Sequence, residues 1–536
     1  MPLIWAAIAV HGVLSLLVRV TCPAEDVQVT TSKHQLHSSH FKCRYAPGGD
    51  AVVVDGSAEK NGKSPTPGKA AESLPMGNLG RRRALLNVAV SVVFLGVMHG
   101  AHGLFPVALV CGAFAVGHAL KGTRLAQPAA WVMAVLLIWL KEKWYGVFSF
   151  ENLLGAGVAG LDGFGGMHPW RLSFNLAILR MVSFNLDLHW AELHLRRGDL
   201  GSPGGKDDGW RAEEEPDVFE YSSRVVAHRP IADYSLWHCL GYVFYAPLYL
   251  AGPTLTFNAY VSHMACPQRS YGWWRMAFYL ARFVFALLLL EYGVHFFPVF
   301  ALARSGVLNF RPGILALYVY TILLIMWLKF LVIWRLFRFW ALCDGVEPPE
   351  NMQKCMSNNY SVVGFWKGWH CSFNRWLVRY IYVPLGGSMP GRRWNVFVVF
   401  FFVAFWHDVE PKLFAWGLLN GVFFVLEALA KGVYRRASVL ESCRANPLAN
   451  RMVQAVGATS NVVALLLVNM IGYAVGIRGA GHVADGIFLD REGLVTCAYG
   501  FFFLFSCVQA RVMFVIEEAR QGRNRRATGY RKVAKS

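Results

Sequence analysis

The sequence predicts an all-α, polytopic transmembrane helical bundle of about 10–12 spans, and three observations carry that reading. The 536 residues are 55% hydrophobic, 14% aromatic and only 16% charged, too apolar a balance for a soluble enzyme of this length. Stretches of about 20 mostly apolar residues, enough to cross a hydrocarbon core of roughly 30 Å, recur along the chain. The net charge is +19, yet its positive residues crowd the ends of these stretches and mark topology. That distribution excludes nucleic acid as the expected partner and makes membrane lipid the surroundings.

Residues 1–22 hold a short apolar stretch, 3–18, followed by Arg19, Cys22 and Pro23. It reads either as a signal peptide or as an anchor helix, and the absence of Lys or Arg ahead of it weakens the first. Residues 23–83 are polar and rich in Gly, Ser, Lys and Pro, which predicts disorder. The membrane domain is expected over 84–517, with spans near 84–105, 106–121, 128–148, 170–192, 236–260, 276–299, 314–340, 394–406, 413–430, 459–476 and 493–515. It is interrupted at 195–234, where Gly201-Ser202-Pro203-Gly204-Gly205 and Glu213-Glu214-Glu215 mark an exposed hydrophilic loop. Residues 518–536 form a basic tail that the positive-inside tendency places in the cytosol, and Arg81, Arg82 and Arg83 read as the matching signal before the first long span. No internal repeat is evident, which argues against a transporter built from two related halves. The eleven cysteines form no C-x-x-C pair or Cys/His metal spacing, so no metal site is expected, and Cys371 is read as packing rather than a nucleophile.

The chemistry concentrates between Phe337 and Ala430. His407 and Asp408 close the apolar run Val396 to Trp406, where an ionisable side chain costs several kcal/mol unless something needs it. His407 is therefore the leading catalytic candidate; the alternative is a helix that simply ends at the interface. His370 and Asn374 lie four residues apart among aromatics and would share one helical face around a buried reaction chamber. Pro384, Gly386 and Gly387 then break the helix, and irregular backbone at membrane depth belongs inside protein or beside a cavity. Elsewhere, Arg180, Asn185, Asp187 and His189 put polar groups into a span, either as chamber lining or as charge pairs. Glu291 and His295 share a helical face and read as a proton relay or, given Pro298, as an interfacial helix end.

FWKGWHCSFNRWLVRYIYVPLGG, from Phe365 to Gly387, followed by FWHD, resembles the membrane-bound O-acyltransferase family. FWALCDGVEPPENM, RMVSFNLDLHW and YVFYAPLYLAGPTLTFNAY are similar to its glycerol-uptake branch, whose fungal members re-acylate glycosylphosphatidylinositol (GPI) anchors and whose sister group palmitoylates Hedgehog. The resemblance runs from about Ala84 to Ala510. It implies a central reaction tunnel with re-entrant segments, multi-pass insertion in the endoplasmic reticulum membrane, acyl-CoA as co-substrate with no bound cofactor, and a lysolipid acceptor, first of all lyso-GPI. The family's near-invariant histidine falls on His407 and its second polar position on His370. His407 would take the proton of the acceptor hydroxyl, while His370 or Asn374 would orient it or donate to the oxyanion. Lys367, Arg375, Arg379, Arg392 and Arg393 would meet the phosphates of acyl-CoA or serve as positive-inside anchors. A glycerol importer and a protein acyltransferase of the Hedgehog type are the alternatives.

Overall fold

The computed structural model of the protein describes residues 2–21, 78–199, 221–305, 310–387, 389, 394–485, 491–509 and the single residues 519 and 522. Its long helices are α1 (Pro2–Thr21), α2 (Asn78–His99), α3 (Leu104–Leu120), α4 (Ala126–Lys143), α5 (Trp170–Asp199), α6 (Trp273–Phe296), α7 (Pro312–Cys343), α8 (Asn395–His407), α9 (Pro411–Arg436), α10 (Pro447–Asn469) and α11 (Arg491–Gln509). Among the described residues the chain forms no strand, only the isolated bridges Gly100 to Gly165 and Met352 to Trp369.

Among the described residues, six stretches are long and apolar enough to cross a membrane: Asn78–His99, Ala101–Leu120, Trp273–Phe296, Pro312–Cys343, Pro411–Arg436 and Pro447–Ala474. The protein is a multi-pass membrane protein. Several other expected spans differ for physical reasons. Lys141, Glu142 and Lys143 close α4, and α8 is only 13 residues long. The expected span 236–260 is broken into Leu236–Val243, Ala246–Tyr249 and Phe257–Ala265. Pro247 and Pro253 lack the amide donors a continuous helix needs, and the apolar side chains there fill the protein core. Arg180 on α5 compensates the break by donating to the carbonyls of Val243 at 2.6 Å and Leu248 at 2.5 Å.

The spine is α7, whose 32 residues rise about 48 Å. Pro312 opens it in the first turn, where a missing amide hydrogen costs nothing. Gly345, at φ +79°, closes it: its N–H donates to Leu342 O at 3.0 Å and that of Val346 to Ala341 O at 2.9 Å. This is a Schellman closure, and the left-handed residue is glycine because a Cβ there is strained.

The closure places the buried Asp344 at a junction of helices. Its carboxylate accepts from Ser15 Oγ at 2.5 Å, Tyr245 OH at 2.5 Å and Asn87 Nδ2 at 3.3 Å, with His11 Nε2 at 3.7 Å and Arg83 Nη2 at 3.9 Å. Arg83 also donates to the carbonyls of His263, Met264 and Asp344. The residue expected to be a topology signal is thus a buried internal tie. The stretch read as signal peptide or anchor is helix α1, docked on α2 and α7 through His11 and Ser15.

Residues 22–77, most of the expected disordered segment, and most of the basic tail lie outside the described residues; Asn78 to Arg83 begin α2. Of the expected loop 195–234, residues 200–220 lie outside them, while Tyr221–Val226 is helical and Arg224 is buried.

Asp344→Ala leaves Arg83 as a buried charge without its carboxylate, and breaking such a pair costs about 3–5 kcal/mol. Thermal unfolding of the detergent-solubilised protein, followed by tryptophan fluorescence, should show a clearly lowered midpoint. An unchanged midpoint contradicts this account of the junction.

Candidate active site

Between α7 and α8 the chain runs through Val362–Gly368, Cys371–Leu377 and a π-helical turn, Val378–Tyr382. Ser361 caps the first piece, accepting from Gly364 N at 3.1 Å and donating to Glu427 of α9 at 2.6 Å. His370 joins the first two pieces with a left-handed backbone, φ 45° and ψ 48°. Among the described residues it is the one non-glycine position with positive φ. Such a conformation costs about 1–3 kcal/mol and persists where the surroundings impose it. Here Asn351 does so, its carbonyl accepting from Cys371 N at 3.1 Å and its Oδ1 from Ser372 N at 3.0 Å. Ser372 Oγ in turn accepts from Thr254 N at 2.8 Å, tying the turn to the broken segment before α6.

This arrangement opens a cavity of about 1170 Å³. Along α7 its wall is the stripe Ala316, Leu317, Tyr320, Leu323, Met326, Phe330 and Trp334, spaced three or four apart from Leu317 onward. From Ala316 to Trp334 the stripe runs about 27 Å at the α-helical rise. Two histidines share the wall. His370 stacks on Trp334, ring centroids 4.5 Å apart, and lies 5.1 Å from Phe373 and 6.5 Å from Trp406. His407 ends α8, enclosed edge to face by Trp406 at 4.8 Å, Tyr473 at 5.8 Å and Trp416 at 6.3 Å. It is an exposed residue, and what it is exposed to is this cavity. Among the described residues its ring nitrogens have no hydrogen-bond partner, and neither does the side-chain amide of Asn374, which lines the same wall.

Asn175 on α5 fixes the end of α8: its Nδ2 donates to Trp406 O at 2.6 Å and its carbonyl accepts from Trp406 Nε1 at 2.9 Å. Sequence reasoning did not single it out, although it sits in the same helix as Arg180 and Asn185 and the rule that flagged them applies to it. Trp416 and Tyr473 were missed as well, because aromatic residues in apolar helices carry no distinguishing signal.

The remaining candidates are dispersed. Arg180 serves the broken helix, Asn185 donates to Ala113 O at 3.2 Å, and Asp187 pairs with Arg379 at 2.9 Å while accepting from Tyr380 OH at 3.0 Å. None of these side chains belongs to the cavity wall, nor does Asp408, which accepts from Val409 N at 2.8 Å just past the end of α8. Arg379 also lies over the Trp190 ring at 5.0 Å, and Arg375 over Tyr221 at 5.5 Å. Lys367 is exposed and lines the cavity. Arg392 and Arg393 lie outside the described residues. Cys371 is buried, with Gln353 Nε2 donating to its sulfur at 3.1 Å. Glu291 and His295 are exposed near the end of α6. Among the described residues no three His, Cys, Asp or Glu side chains gather as metal ligands.

A long apolar cavity with an unengaged imidazole and an amide on its wall is equipped to hold a hydrocarbon chain and to take a proton from a group presented at one place along it. Residues 119–469 match the membrane-bound O-acyltransferase family, and the chain belongs to that family. It is 36% identical over 438 residues to membrane-bound O-acyltransferase gup1 of Schizosaccharomyces pombe, an alignment covering 81% of this chain and 73% of that one. With membrane-bound O-acyltransferase GUP1 of Saccharomyces cerevisiae the identity is 35% over 439 residues, 80% and 75% of the two chains. Protein-cysteine N-palmitoyltransferase HHAT of Mus musculus is more distant, at 28% over 291 residues, 52% and 57% of the chains. The protein is an O-acyltransferase, as the Phe365 to Asp408 motifs led one to expect.

If Asn351 and its neighbours impose a left-handed His370, glycine there is better tolerated than alanine, the reverse of the usual order. His370→Gly should be more stable than His370→Ala by about 1 kcal/mol in chemical or thermal unfolding, since both lose the ring and only alanine keeps the strain. For Asn175→Ala, acyl transfer should fall by at least about tenfold at matched abundance, because small misplacements of reacting groups are costly. Wild-type turnover in Asn175→Ala contradicts its role in setting His407.

Proposed function

We propose that this protein transfers a fatty acyl group from acyl-CoA to a lipid hydroxyl, with a lyso-GPI anchor as acceptor, in the endoplasmic reticulum membrane. The observation that carries the reading is His407, whose imidazole opens onto the apolar cavity without a hydrogen-bond partner among the described residues. A histidine packed for structure engages its nitrogens; one that waits for a substrate proton leaves them open. The names of the fungal relatives support the O-acyl chemistry, and the resemblance to their branch supports the acceptor.

In this mechanism the acyl chain lies along the α7 stripe with its thioester beside His407. The neutral imidazole takes the acceptor's hydroxyl proton as that oxygen attacks the carbonyl carbon, forming the ester bond. The carbon–sulfur bond then breaks, and the departing thiolate takes the proton back from the imidazolium. The Asn374 amide donates to the carbonyl oxygen as it becomes negative, a contribution of about 3–4 kcal/mol for a well-placed donor. His370, stacked on Trp334, positions the same wall. Lys367, exposed on the cavity wall, is suited to meet the anionic end of acyl-CoA, and Arg379 is paired with Asp187 away from that wall.

Membranes expressing the wild type should transfer label from radioactive acyl-CoA to lyso-GPI lipid. Membranes with His407→Ala at equal abundance should lose at least about 100-fold of that rate, the scale set by general-base catalysis with a positioned side chain. Equal transfer by both removes His407 from the mechanism. Transfer to a secreted peptide and to no lysolipid replaces the lipid acceptor by a protein.

A further inference from the structure

Tyr473 lies beyond the family-matched region, in a π-helical turn, Met470–Ala474, that follows α10. A π turn inserts one residue into a helix and rotates the side chains after it, and such turns recur at functional sites. Here it brings Tyr473 into the cavity wall, its ring edge to face with His407 at 5.8 Å. Trp416 braces it from behind at 5.3 Å, donating from its own Nε1 to Asn469 Oδ1 at 3.2 Å. Gly472 makes that brace possible: a Cβ there would stand 2.5 Å from Trp416 Cδ1. The phenolic hydroxyl has no hydrogen-bond partner among the described residues. A hydroxyl on the wall of an apolar cavity, left without a protein partner, is available to a ligand that supplies the acceptor.

We infer that Tyr473 is a catalytic residue of the acyl transfer, its O–H donating a hydrogen bond to the thioester carbonyl oxygen as that oxygen takes up negative charge. The inference rests on the assignment of His407 as the base. In the addition step the acceptor's proton goes to His407, the new carbon–oxygen bond forms, and the carbonyl electron pair moves onto the oxygen held by Tyr473. In the collapse that pair returns, the carbon–sulfur bond breaks, and the thiolate leaves with the proton from His407. The tyrosine proton stays on its oxygen throughout, so the residue stabilises charge and exchanges nothing. Asn374, on the short helix that follows His370, supplies a second donor to the same oxygen.

Tyr473→Phe keeps the ring against His407 and Trp416 and removes only the donor. The full-length protein is purified in detergent, and thiol release from acyl-CoA is measured with lysolipid acceptor and, more slowly, with water as the acceptor. Tyr473→Phe should lower kcat about 100-fold in both reactions, the cost of one oxyanion donor, with KM for acyl-CoA and the unfolding temperature unchanged. A kcat equal to wild type overturns the role, and so does a loss confined to KM, which makes the hydroxyl a binding contact. Wild-type protein that releases no thiol in either reaction overturns the acyl-transfer reading and the tyrosine's role with it. If His407→Ala is inactive while Tyr473→Phe is unaffected, the tyrosine alone fails.

Discussion

A backbone group in hydrocarbon must find a partner within the protein, and the cavity exists because five side chains meet that demand where the helices break. Arg180 holds the carbonyls of Val243 and Leu248, next to Leu250, Ala251 and Gly252 of the cavity wall. Asn351 holds the amides of Cys371 and Ser372 on one side of His370, Ser372 holds Thr254, and Asn175 holds the last turn of α8 before His407. Arg83 does the same at the end of Phe257–Ala265. Unbroken helices would pack into a solid bundle; interrupted helices with satisfied ends leave room among them.

The polar residues of the membrane domain therefore fall into two populations. Arg180, Asn185, Asp187 and Arg379 each bond to or pair with a neighbour and hold the frame. His407, Asn374 and Tyr473 face the cavity without partners among the described residues and sit against aromatic or apolar walls. The rule that polar residues in a span are functional reaches Arg180 and Asp187 as readily as His407, and does not separate the two populations. Partner geometry does, and partner geometry is a property of the fold.

That is also the measure of what could be read in advance. The helical class, most helix positions, the helix break at Pro384 and the choice of His407 and His370, which the fold brings to one cavity wall, followed from apolar runs, Pro and Gly positions and a local motif, all encoded within a few dozen residues. Asn175 carried the same signal as Arg180 and Asn185, but its role could not be read because its partner, Trp406, is 231 residues away. Segment 236–260 was read as a span because the apolar residues of a protein core and those of a lipid-facing helix look alike in sequence. Arg83 was read with Arg81 and Arg82 for a related reason: an arginine beside an apolar run has the same composition whether it meets headgroups or backbone carbonyls. Tyr473 needed the π turn, a register change that periodicity cannot anticipate.

The Asp344 junction imposes an order of events during synthesis. His11, Ser15, Arg83 and Asn87 emerge early, and the carboxylate that joins them follows Arg83 by 261 residues. At roughly 5–20 residues per second that interval lasts roughly 13–50 s, during which α1 and α2 carry ionisable groups whose counter-charge has not yet been made. The N-terminal helices must therefore be kept apart from lipid and from wrong partners while the middle of the chain is translated. Closure of α7 on Gly345 then delivers Asp344 to them in a single late step, so the bundle assembles around its first helices only after two-thirds of it exists.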